Sequence, residues 1–198
     1  SKMIEFSKAV SGQTGIITNF DLTENPDATV LFPKNKEVVT DEDLEKYGIF
    51  GRKLEVQNRF RGIESIACTF GFSGIEPNTV LMDWPGETEH PVWFTQMTQK
   101  LIDLDYNVLY LDYDPRYGFR KQEKINLWWR GVSNNSELML SLAKFILSSP
   151  DWSHAGVRVL LVNNTNVDHK VIENRIQYVL DQFRVNAEIK IVNNEIDQ

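Results

Sequence analysis

The chain has 198 residues, 41% hydrophobic and 25% charged. That is enough for a packed core and excludes disordered, collagenous and disulfide-knotted classes. A net charge of −7 with a pI of about 5.0 disfavours nucleic acid and anionic lipid as partners, and a single cysteine, Cys68, excludes an internal disulfide.

No apolar run reaches the ~20 residues that span a bilayer, so the chain reads as soluble, from a reducing compartment, with no direct membrane insertion. No signal peptide opens it, and Ser1-Lys2-Met3 reads as a cut end. The sequons at Asn134 and Asn163 then read as chance matches.

In chain order, Gly15-Ile16-Ile17 predicts a first strand. Residues 21–47 are polar and contain Pro26 and Pro33, which predicts a loop, with one short helix where Thr40-x-x-Asp43 resembles a capping box before Leu44. Ile49 to Val56 predicts a second strand. A helix from about Phe60 to Phe70 should stop at Gly71 and bury Cys68 as a small hydrophobe. Thr79 to Met82 is a short apolar strand. A helix then places Phe94, Met97, Leu101 and Leu104 on one face.

Val108 to Leu111 and Ile125 to Trp129 are further strands, the second sending Trp128 and Trp129 to opposite faces. Glu137 to Leu147 is apolar almost all round and predicts a well-buried helix. Val157 to Val162, a continuous apolar run, predicts a strand covered on both faces. The last helix carries Ile172, Ile176, Val179, Leu180 and Phe183 on one face, with Thr165-x-x-Asp168 as its cap. Ala187, Ile189 and Ile191 alternate with Glu188 and Lys190, the pattern of a half-exposed edge strand. Strands alternating with helices predict an α/β fold, a mostly parallel sheet flanked by helices and Rossmann-like. The whole of 1–198 is expected to form a single α/β domain.

Such sheets often bind nucleotides at the carboxyl ends of their strands. Neither the dinucleotide fingerprint nor the P-loop occurs. Gly71-Phe72-Ser73-Gly74 precedes a strand instead of following one, so it reads as a helix end and turn. Ser73 lies outside any G-x-S-x-G, because residue 75 is Ile. His90, His154 and His169 read as surface residues, which leaves no base for a nucleophile. There is no Cys pair, no H-x-x-x-H and no EF-hand loop. Asp112 and Asp114, two carboxylates at a strand end, could hold a cation or a ribose, but read first as a solvated strand end. Arg116 to Lys121 mixes cations with aromatics, a pattern able to bind single strands. In an acidic chain it reads instead as a loop contacting another part of the same protein. Catalytic and metal-binding residues are therefore expected to be absent, and no cofactor is assigned.

Two stretches carry a resemblance. One is Gly62-Ile63-Glu64-Ser65-Ile66-Ala67-Cys68-Thr69-Phe70-Gly71-Phe72-Ser73-Gly74-Ile75, followed by Pro77-Asn78-Thr79-Val80-Leu81-Met82-Asp83-Trp84-Pro85. The other is Lys124-Ile125-Asn126-Leu127-Trp128-Trp129, followed by Ser136-Glu137-Leu138-Met139-Leu140 and then Trp152. In order and spacing they resemble the cytoplasmic C-terminal domain of cation–chloride cotransporters over roughly residues 60–195, and Gly15-Ile16-Ile17 resembles the opening strand of that family's second lobe. Asn126 stands where the family commonly has an acidic residue, Asp83 where it has a small one, and 21–47 matches poorly.

The resemblance implies a universal-stress-protein-like fold and a non-catalytic regulatory domain on the cytoplasmic side of the membrane. It implies a homodimer and, as partner, a transmembrane transport domain of the same polypeptide, absent from this chain, that couples Na+/K+ and Cl− movement by symport. A prokaryotic member or a cut segment would fit. The alternative is a nucleotide-binding, universal-stress-type domain, although no glycine signature follows Val157 to Val162.

Overall fold

The computed structural model describes residues 2–12, 14–28, 48–71, 76–163 and 167–193. The elements run in the order α1 (Lys2–Val10), β1 (Ile17–Glu24), β2 (Ile49–Val56), α2 (Arg59–Thr69), β3 (Thr79–Asp83), α3 (Pro91–Asp103) and β4 (Asn107–Leu111). They continue with β5 (Lys124–Trp128), α4 (Asn134–Ser148), a 3-10 turn (Pro150–Trp152), β6 (Gly156–Asn163), α5 (His169–Phe183) and β7 (Ala187–Asn193). Every strand pair is parallel, as the alternation of strands with helices predicts. Among the described residues the strands form three sheets, β1-β2, β3-β4 and β5-β6-β7. The chain divides into two compact units, residues 1–4 with 16–115 and residues 5–15 with 116–198.

In the first unit, β1 runs to Glu24, beyond the boundary that its polar residues predict. Its in-register ladder with β2 continues through Glu24↔Val56, so pairing overrides the low strand propensity of Asp21 and Glu24. Helix α2 starts where Asn58 Oδ1 accepts the Phe60 and Arg61 N–H groups. It presses closely on β2, since a Cβ on Gly62 would lie 2.6 Å from Val56 Cγ1. The core is Phe60, Met97 and Leu101, packed by Ile63, Phe94 and Val108 among others. Cys68 is exposed, contrary to expectation. Phe60, Ile63 and Ala67 occupy the inward face of α2, and Cys68 is one position, about 100°, further round. Leu104, expected on the inward face with Phe94, Met97 and Leu101, is instead the C-cap of α3 and is exposed, because the helix ends before it. The short helix predicted near Thr40, and Ser73 with its glycine-flanked turn, lie outside the described residues.

The second unit has a larger core. Leu127 and Trp129 of the β5 segment, Val157 and Val159 of β6, Leu140 and Ala143 of α4, and Ile176, Val179 and Leu180 of α5 form one cluster. Both helices therefore cover the same face of β5-β6-β7. The opposite face is open: Trp128, Val162 and Val192 are 66%, 46% and 45% exposed. The expectation that β6 is covered on both faces fails for this reason. Helix α4 is likewise buried on one side only, with Phe145 44% exposed. Helix α1 has no counterpart in the sequence reading. Ala9 is buried, Phe6 packs on Phe119 at 5.8 Å, and Gly12 turns the chain at φ +63°.

Candidate functional site

The carboxyl end of β5-β6-β7 is where this class of fold would hold a ligand. Two helices start there, and each N-terminus is occupied by the chain's own side chains. At α4 a capping box closes the turn: the Ser133 N–H donates to Ser136 Oγ at 2.7 Å and the Ser136 N–H to Ser133 Oγ at 3.4 Å. At α5, Asp168 Oδ1 accepts the Lys170 N–H at 2.7 Å. That carboxylate stands where a phosphate would otherwise exploit the helix dipole, and it repels one. Asn163, buried at the end of β6, donates from Nδ2 to the Val167 carbonyl at 3.1 Å, tying the connection to itself. Thr165, the other half of the predicted cap, is outside the described residues.

The remaining candidates are dispersed. His90, His154 and His169 are all exposed, and His90 stacks on Trp93 at 4.4 Å. Asp112 is exposed just past β4, and Asp114 is half-buried. No group of three or more His, Cys, Asp or Glu able to hold a metal occurs among the described residues. In the Arg116–Lys121 loop the Arg116 and Arg120 guanidiniums lie 5.5 and 5.0 Å from the Tyr117 ring centre. Phe119 anchors that loop against Phe6 and, at 6.1 Å, Trp152.

The motifs that carried the family resemblance have structural work. Asn78 accepts the Asn107 N–H at its carbonyl, and Thr79 donates to Asn78 Oδ1, joining the starts of β3 and β4. At the other end the Trp84 N–H donates to the Leu111 carbonyl, and its ring meets Phe94 and Tyr110 edge-on at 5.7 and 5.4 Å. Trp129 fills the core of the second unit. Tyr106 donates its hydroxyl to the Ala67 carbonyl at 2.9 Å, and burial, with smaller contributions from Cys68 and Glu76, raises its pKa above 10.0.

What the surface offers is the open face and outer strand of β5-β6-β7. There Trp128, Leu160 and Lys190 are register neighbours, as are Val162 and Val192. The alternation of Glu188 and Lys190 with Ala187, Ile189 and Ile191 marks this face on β7, whereas β6 has apolar residues on both of its sides.

These features define an α/β fold of parallel sheets flanked by helices, in which the resembling motifs have structural roles. Its structure is similar to the crystal structure of the cytoplasmic domain of a prokaryotic cation chloride cotransporter, with a TM-score of 0.71 and 18% identity, covering 98% of this chain and 73% of that one. In sequence the chain is similar to "Cation-chloride cotransporter 1" of Arabidopsis thaliana, 24% identical over 144 residues. That alignment takes in 68% of this chain and 15% of the plant protein, so the chain spans a small part of that relative's length. No family model matches the chain. No helix among the described residues is long and apolar enough to cross a membrane.

Proposed function

We propose that the chain is a non-catalytic regulatory and dimerisation domain, lying on the cytoplasmic side of a membrane and belonging to a transporter that couples Na+/K+ and Cl− movement. The observation that carries this reading is the fold shared with a cotransporter cytoplasmic domain over 98% of the chain. The structural use of the resembling motifs and the self-capped helix N-termini support it. The two units act together as one regulatory module, and ion-binding residues belong to the transmembrane partner domain.

The test is chloride-dependent rubidium uptake by cells making the full-length gene product, with and without this segment. Removing the segment is expected to leave the protein in the membrane but to alter flux and reduce self-association. Unchanged flux together with unchanged association would overturn the reading.

A further inference from the structure

We propose that β7 is a self-docking edge: a second copy of this chain lays its own β7 antiparallel beside it, about a two-fold axis through Ile189. The three-stranded sheets of the two copies then join into one. The inference rests on the homodimer reading above and names its surface.

Strand β7 is bonded to β6 on one side and pairs with no other strand among the described residues. Unpaired edges invite another chain, and proteins that avoid this use proline, bulges, short strands or charged side chains; the charges of this edge, Glu188 and Lys190, are of opposite sign and can satisfy one another across a pair. β7 contains no proline, and its register with β6 runs unbroken from Val157↔Ala187 to Asn163↔Asn193. Glu188 and Lys190 are both exposed.

The order of residues selects the register. With the axis at Ile189, Glu188 of each copy faces Lys190 of the other, and Ala187 faces Ile191. Opposite charges directly across an antiparallel pair attract, and like charges repel. An axis at Glu188 or at Lys190 sets that charge against its own copy. An axis between residues turns the half-buried apolar row of one copy toward the charged row of the other. Only the Ile189 register keeps both the charge match and the helix-covered faces aligned. It is isologous and closed, because each copy uses its one β7 edge, so the product is a dimer and not a fibre.

The experiment measures the dimer dissociation constant of the 198-residue chain by sedimentation equilibrium at low salt, for the wild type, Glu188→Lys, Lys190→Glu and the double reversal. Each single reversal places like charges opposite one another twice in the dimer and is expected to weaken it about tenfold or more, while the double reversal restores wild-type affinity. Urea midpoints confirm that all four fold equally. A wild-type dimer indifferent to both single reversals would overturn this edge and leave the homodimer reading standing. Failure of the double reversal to recover affinity would overturn the register. A wild type monomeric at high concentration would overturn both the edge and the dimer.

Discussion

Trp128 and Trp129 are neighbours in the chain and opposites in energy. Trp129 is 5% exposed within the core of its unit, and Trp128 is 66% exposed on the open face. Trp129→Ala should cost about 3–5 kcal/mol of unfolding free energy, and Trp128→Ala no more than about 0.5, read from urea midpoints. Equal losses would mean that the open face is covered. Tyr106 makes the stability of the first unit depend on pH in the alkaline range. Its pKa is raised in the folded state, so the folded chain holds that proton more tightly than the unfolded one. The resulting stability is complete below pH 10.0 and is lost as pH climbs through the raised value. Tyr106→Phe should lose about 1 kcal/mol at neutral pH with the Ala67 hydrogen bond, and its stability should fall less between pH 9 and 11 than that of the wild type. Parallel pH profiles for the two proteins would refute the assignment.

At the scale of elements, close approach and capping decide more than propensity. Gly62 sits mid-helix, where glycine costs about 1 kcal/mol relative to alanine. Here alanine would meet Val56 at 2.6 Å, so Gly62→Ala should destabilise despite its better propensity, measured as a lower midpoint in urea. Asp168→Ala should cost about 1 kcal/mol by leaving the Lys170 N–H without its acceptor. The strand at Ile125 to Trp129 and the helix on Ile172, Ile176 and Val179 are legible because their period matches their burial. Helix α1 was not. Met3, Phe6 and Val10 do have helical spacing, but over nine residues that signal is too short to stand out from a chain end.

For the whole molecule, the sharpest contrast lies between a regulatory domain and a nucleotide-binding one. The capped N-termini of α4 and α5 lead to an expectation of no saturable heat when millimolar ATP or AMP is titrated into the chain. Saturable binding would bring the nucleotide reading forward, and its loss in Asn163→Ala would place the site at the end of β6.

Alternation of apolar runs, turn residues and caps was enough by itself to determine the α/β class and the order of nearly all elements, while two motif stretches in order carried the resemblance to cotransporter cytoplasmic domains. Those features are local, set by the side-chain period and by hydrogen bonds a few residues apart. Only the tertiary structure decided which of two apolar sides of β6 is covered and that Cys68 is exposed. Each of these depends on packing between segments distant in the chain. β6 reads the same from both sides until α4 and α5 both settle on the face of Val157 and Val159.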